Sequence, residues 1–406
     1  MFPFSYPADD RWLLPEGIEE LLPEEAERLE LLRRRVLDRF AAWGYRLVMP
    51  PLIEFIDSLL TGAGHDLDIQ TFKLIDQASG RLLGIRADMT PQVARIDART
   101  HVGDMPGRFC YLGSVLHTQA DRLEKSRSPI QFGAELYGHG GGASDLEIIR
   151  LMLEVLATAG VGQVHLDLGH VGIFRGLARQ AGLTGEQEGE LFTLLQQKAR
   201  PELTAAVAGM GMAPQTARMF TDLVDLNGRH GVIERARECL SEADAAVHLA
   251  LEELAMLAER LGSCCSEVPV NFDLAELRGY RYQTGVVFSA FVPGYGREIA
   301  RGGRYDDIGK VFGRARPATG FSADLKVVLR LSGLGESFSG SGAAIFAPAA
   351  AEPALTAAIR ELRDAGRTVV EALPGQQGDA AEHGFRSELR FDGERWRVCP
   401  VAAKDA

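Results

Sequence analysis

The chain has 406 residues, 46% of them hydrophobic, enough to bury more than one sizeable core. Acids outnumber bases 56 to 44, a formal net charge of −12 that argues against a broad phosphate-neutralising surface. No apolar run approaches about 20 residues, so no membrane helix is expected. The opening Met1–Asp10 lacks the charged and apolar stretches of a secretion signal. Five scattered cysteines (Cys110, Cys239, Cys264, Cys265 and Cys399) have no His at ligand spacing, which predicts a reduced, cytoplasmic chain with no metal site and no cofactor.

Pro23, followed by Glu24 and Glu25, opens a predicted helix with Leu29, Leu32, Val36 and Phe40 on one face and Gly44 as C-cap. The Arg33-Arg34-Arg35 run lies on this helix and reads as a solvated face rather than a nucleic-acid patch. From Leu47 to Tyr137, short apolar and β-branched segments predict strands joined by turns. A second helix starts near Asp145, buries Ile149, Leu153 and Leu156, and stops at Gly160. Residues 174–262 read as strongly helical, with stripes at Leu191–Leu195 and Ala245–Leu251. Strands resume with Val268–Phe272 and run to about Leu331. The tail predicts a strand at Ala343–Phe346, a helix at Leu355–Ala365 closed by Gly366, and a strand at Thr368–Ala372. A hairpin follows, turning at Asp392-Gly393. Alternation of this kind predicts an α+β fold with an antiparallel sheet flanked by helices. Its expected divisions are a core at 1–332 that includes a 174–262 helical insertion, a Gly/Ser linker at 333–342, and a small C-terminal α/β domain at 343–406.

Chemistry concentrates in a few segments. In Leu277–Phe288, read with Gly302–Asp306, Arg278, Tyr280 and Tyr282 precede a β-branched run, placing a cation and aromatic hydroxyls beside a pocket suited to a small zwitterion with a polar ring. Upstream, Ile85–Arg95 contains Asp88 and Thr90, two acceptors for one ammonium; the same Asp-x-Thr-Pro is also an ordinary helix start. Phe40–Tyr45 followed by Pro50–Glu54 joins a helix end to a strand. In this order the segments resemble the histidyl-tRNA synthetases, a family of class II aminoacyl-tRNA synthetases. The resemblance implies a class II sheet, a homodimer formed through the Trp43–Glu54 region, and a histidine site built from Asp88, Thr90, Arg127, Gln131, Glu135, Arg278, Tyr280 and Tyr282.

The chain departs from that family where ATP is handled. His117 falls at the motif 2 arginine that grips phosphate, and Gln119 at its glutamate. Val327, or Lys326 in a frame shifted by one, stands at the motif 3 arginine, and Asp324 replaces a glycine beside the nucleotide. A neutral imidazole does not replace a planar, charged guanidinium on phosphate, and an added acid repels it. Inside the histidine signature, Arg281 stands for an Asp and Gln283 for a second Tyr. Histidine-handling groups thus outlast ATP-handling ones, and the tail is too short for a full anticodon-binding domain. This pattern resembles the family of synthetase paralogues that serve ATP phosphoribosyltransferase as regulatory subunits. It implies a non-catalytic chain that partners a short-form catalytic subunit at the first step of histidine biosynthesis and confers feedback inhibition by L-histidine, with no tRNA or membrane partner. Three alternatives stay open: an active histidyl-tRNA synthetase with unusual ATP contacts, an aminoacyl transferase acting on another protein, and a tRNA-binding regulator.

Overall fold

The computed structural model describes residues 13–61, 65–100, 103, 105–120, 125–277, 279, 282–333 and 344–401. Arg278, Tyr280, most of the Gly/Ser stretch and Met1–Asp10 lie outside the described residues. Helix α1 (Pro23–Ala42) leads to β1 (Arg46–Leu47), β2 (Ile53–Phe55), α2 (Ile56–Leu59), α3 (His65–Gln70), β3 (Phe72–Ile75), β4 (Leu82–Ile85) and α4 (Thr90–Thr100). Then come β5 (Gly107–Ser114), β6 (Ile130–Tyr137), α5 (Gly142–Thr158) and β7 (His165–His170). A helical block follows: α6 (Val171–Gln180), α7 (Gly185–Gln196), α8 (Arg200–Gly209), α9 (Pro214–Leu223), the short β8 (Asn227–Gly228), α10 (Val232–Cys239) and α11 (Ala245–Cys264). The sheet resumes with β9 (Val270–Asp273), β10 (Val286–Phe291), β11 (Ala300–Arg304) and β12 (Ala318–Asp324), and α12 (Leu325–Leu331) closes this part. The tail holds β13 (Ile345–Ala347), α13 (Pro353–Asp364), β14 (Val369–Glu371), β15 (Ser387–Phe391) and β16 (Trp396–Pro400).

These elements divide into two units: one runs to Leu21 and from Leu32 to Gly333, the other holds Leu22–Leu31 and the C-terminal segment. The larger unit is organised by a nine-stranded sheet of order β1-β5-β6-β12-β11-β10-β7-β9-β8. Every pair from β5 to β7 is antiparallel, whereas β1 on β5 and β9 on β7 run parallel. A separate three-stranded sheet orders β2-β4-β3. In the smaller unit β14-β13-β15-β16 form a sheet, and Ile345, Ala347, Leu355, Ile359, Val369 and Leu389 make the core beneath α13. Its hairpin turns where expected. Asp392 accepts from the backbone N–H of Glu394 and Arg395, and Gly393 takes φ +100°, a region that favours glycine.

Most elements follow from pattern. Leu29, Leu32, Val36 and Phe40 are buried on α1, while Arg34 and Arg35 are exposed. Three expectations shift. Helix α5 starts at Gly142, before Asp145, and buries Met152 in preference to the half-buried Leu153. Residues 325–331 form α12 rather than strand, because Asp324 accepts from the Lys326 N–H as N-cap. The third is α4, which opens at the Asp-x-Thr-Pro helix start but extends as a helix through a stretch read as strands, and it is the one that builds the site. Its Thr90 N–H donates to Asp88 Oδ1 at 2.9 Å. Val93 and Ala94 then pack with Met89 on Phe109, Tyr111, Tyr137 and Tyr305 of the sheet. No helix among the described residues is long and apolar enough to cross a membrane.

Candidate functional site

Side chains of paired residues in a sheet project to the same face. The registers of β5, β6, β12 and β11 therefore align Phe109, Glu135, Gly320 and Gly303 in one row. Two glycines in that row leave a trough: a Cβ at Gly320 would overlap the Glu135 carboxylate, and one at Gly303 would sit 2.6 Å from Gln283 Oε1. Glu135 lies in this trough at 1% exposure. Tyr111 donates to its Oε1 at 3.0 Å, and the Tyr305 hydroxyl donates to its Oε2. Burial pushes its carboxyl up to about 8, although the two tyrosine donors pull the other way and nearby Asp88 adds to the rise.

A polar line runs from this carboxyl to the start of α4. Thr90 Oγ1 is 3.1 Å from the Tyr111 hydroxyl. Gln131 Nε2 donates to Asp88 Oδ1 at 2.8 Å, and Gln131 Oε1 accepts from the Met89 N–H at 2.9 Å. Asp88 therefore caps α4 and anchors Gln131 with one oxygen. The helix is held by a second contact set, in which Glu54 of β2 accepts from Gln92 at 2.8 Å and from Arg95. On the far side of Glu135, the Tyr282 ring stacks on Tyr305 with centroids 4.9 Å apart. Burial drives all four tyrosines of the cluster (Tyr111, Tyr137, Tyr282 and Tyr305) well above the usual phenol range, so all four stay neutral, and Tyr111 and Tyr305 are the two that donate to Glu135.

Of the residues singled out from sequence, Asp88, Thr90, Gln131, Glu135 and Tyr282 come together here. Arg127 is held elsewhere: it donates to the His117 carbonyl at 3.0 Å and the Glu16 carbonyl at 3.2 Å, and its guanidinium lies 5.0 Å from the Phe72 ring centre. Arg278 and Tyr280 fall outside the described residues. Sequence reasoning did not select Tyr111 or Tyr305. Tyr305 falls within the Gly302–Asp306 segment, whereas Tyr111 meets Glu135 only through strand register.

The groups at the nucleotide positions are engaged within the chain. A ring nitrogen of His117 lies 3.0 Å from the Ala87 carbonyl. Lys326, 8% exposed, donates to Glu19 at 3.2 Å and Ser128 at 3.4 Å. Asp324 accepts from the backbone N–H of Ile130 and Lys326, and burial raises its carboxyl. Arg86 is buried against the carbonyls of Pro50 and Ser114. A separate cavity of about 250 Å³ opens on the opposite face, where Arg304 lies. Its main polar groups already satisfy one another, Arg304 with Asp145 and Asp306, and His170 with Glu253.

Comparison with known proteins shows the family and the fold. A family model described as histidyl-tRNA synthetase matches residues 17–328, and one described as the ATP phosphoribosyltransferase subunit HisZ C-terminal domain matches residues 342–399. The chain is 91% identical over 405 residues to an ATP phosphoribosyltransferase regulatory subunit of Methylococcus capsulatus, covering 100% of both. It is 55% identical over 390 residues to a protein of the same description from Thioalkalivibrio sulfidiphilus, covering 96% of this chain and 98% of that one. Among solved structures it resembles an ATP phosphoribosyltransferase regulatory subunit/histidyl-tRNA synthetase from Bacillus halodurans, with TM-score 0.81 at 26% identity over 93% of this chain and 97% of that one. A histidyl-tRNA synthetase from a Nostoc species, with TM-score 0.74 at 18% identity over 93% and 91%, shares the fold. With a synthetase-type core around this trough and a matching C-terminal domain, the chain belongs to the family of ATP phosphoribosyltransferase regulatory subunits.

Proposed function

We propose that this chain senses free L-histidine for a catalytic ATP phosphoribosyltransferase subunit in a cytoplasmic hetero-complex, and that it activates no amino acid itself. The observation that carries the reading is the trough. A buried carboxyl held by two tyrosine hydroxyls suits a polar ring, and Asp88 and Thr90 stand at the start of α4 to receive an ammonium. Arg278, from the same signature, belongs to the proposed set as the carboxylate partner. The groups at the nucleotide positions support the second half: His117, Lys326 and Asp324 are drawn into contacts within the chain. Feedback then requires histidine to bind two states of the complex unequally, since a ligand of equal affinity shifts no population.

Calorimetry should show the purified chain binding L-histidine, and the melting temperature should rise with ligand by mass action. ATP–pyrophosphate exchange should stay at the level of a heat-killed control. Added to the catalytic subunit, the chain should raise ATP and phosphoribosyl pyrophosphate turnover, and histidine should lower it. Histidine-dependent exchange, or calorimetry showing no heat with histidine, would overturn the proposal.

The same reading includes a homodimer. Leu47, Met49, Leu52 and Ile53 stay exposed within seven residues, Met49 at 76%, in the segment that resembles motif 1. Self-pairing across a two-fold axis would bury this patch on both protomers at once. Light scattering should give a dimer for the wild type and a monomer for Met49→Glu/Ile53→Glu. A wild-type monomer at micromolar concentration, alone and with the catalytic subunit, would exclude the interface.

A further inference from the structure

The trough contains polar atoms that the contacts described so far do not use. Gln283 Oε1 and the Tyr282 hydroxyl are buried and have no hydrogen-bond partner among the described residues. An unpaired buried acceptor is costly, so such atoms are suited to a partner that comes from beyond the described residues, as a ligand would. Their position is well defined. Gln283 packs over Gly303, and Glu135 over Gly320, the residue paired with Gly303 on the adjacent strand. Paired residues of antiparallel strands lie roughly 4.5–5.5 Å apart. The carboxyl and the carboxamide therefore cover neighbouring glycines of one floor.

The backbone at Gln283 is independently fixed. Its carbonyl accepts from Arg175 at 3.0 Å, and its N–H donates to the Gly279 carbonyl at 2.7 Å. The following Thr284 N–H donates to the Arg304 carbonyl at 2.7 Å. A side chain needed only to fill the floor could be apolar. Here the volume carries an amide whose oxygen is left unsatisfied beside a carboxyl that is itself satisfied.

We propose that Gln283 is a specificity-determining residue of this site, reading one ring nitrogen of the ligand while Glu135 reads the other. This rests on the histidine reading above and deepens it. The ligand class is then narrower than amino acids with an aromatic side chain: it is an α-amino acid whose ring has polar atoms on both edges. Phenylalanine-like rings are excluded because they leave the Gln283 oxygen buried without a partner, and a methyl group on either imidazole nitrogen would press against Gln283 or Glu135.

The experiment is calorimetry on the full-length chain with three ligands: L-histidine and its two ring-N-methyl isomers. Wild type should bind histidine and discriminate against both isomers. Gln283→Met keeps the side-chain length but removes the amide. It should bind histidine at least 10-fold more weakly, about 1.4 kcal/mol. It should also lose discrimination against one isomer while keeping it against the other, whose blocked nitrogen faces Glu135. Tyr282→Phe is a companion variant that keeps the stacked ring, and both variants should melt near the wild type. If Gln283→Met bound histidine within twofold of wild type, or still rejected both isomers equally, the assignment of Gln283 would be overturned while the histidine reading stood. If wild type bound no histidine, both would fall together.

Discussion

Asp145→Ala should destabilise the larger unit by about 3–5 kcal/mol, the largest effect expected of a single substitution here. The reason is the charge it strands. Arg304 is 7% exposed, and its guanidinium donates to Asp145 at 2.9 and 3.1 Å, with further bonds to Ser144, Asp306 and the carbonyls of His139 and Gly141. Removing Asp145 leaves a buried cation with its strongest partner gone. Burial also raises the Asp145 carboxyl despite the adjacent guanidinium, a sign that desolvation outweighs part of the ion-pair attraction. The double variant Asp145→Leu/Arg304→Met should therefore be more stable than Asp145→Ala alone. Urea unfolding of the three proteins checks both statements. Additive losses in the double variant would mean the two side chains act independently.

Glu135→Gln should change stability in a pH-dependent way and weaken histidine binding together. The Glu135 carboxyl lies near 4.5 when unfolded and about 8 when folded, so across that window the folded chain holds a proton that the unfolded chain has released. Its contribution is fully present below about pH 4.5 and is lost as pH rises through about 8. That difference amounts to roughly 4–5 kcal/mol at most. Glutamine has no such proton to lose. The variant's melting temperature, relative to wild type, should therefore climb as pH goes from 5 to 9. A difference that stays flat with pH would mean Glu135 is already ionised in the folded chain. At pH 7 the variant should also bind histidine about 10-fold or more weakly, because the amide turns an N–H toward at least one hydroxyl donor that the carboxyl accepted. Unchanged affinity would remove Glu135 from the proposed site.

How far the site was legible depends on how each residue reaches it. Asp88 and Thr90 are two residues apart and carry their meaning locally, both as a helix start and as paired acceptors. The cap is present, so that simpler reading is satisfied as well, and only ligand binding distinguishes the larger role. Gln131 and Glu135 alternate on one strand, so their common face follows from the two-residue period of a β-strand. Tyr111 and Tyr305 lie 24 and 170 positions from Glu135 and meet it through pairing that no local pattern encodes. The start of helix α4 was legible in that cap, whereas its extent to Thr100 was obscured because the stretch is bounded by strands and carries only a short apolar face.

Hydrophobic spacing, caps and glycine or proline punctuation by themselves determined α1, α5, the helical block, the C-terminal hairpin and the α+β class, because each depends on contacts within one turn or between neighbouring residues. The motif residues also pointed to histidine over nucleotide handling. Only the tertiary structure decided which polar groups share a site. Strand register set Glu135 over Gly320, beside the Gly303 that Gln283 covers, and put two tyrosine donors on one carboxyl, while packing of the surrounding elements drew Lys326 and Asp324 into internal contacts. Register is a long-range property, set by how whole faces pack, and burial follows from it. Burial in turn raises the Glu135 carboxyl and leaves the Gln283 oxygen without a partner among the described residues.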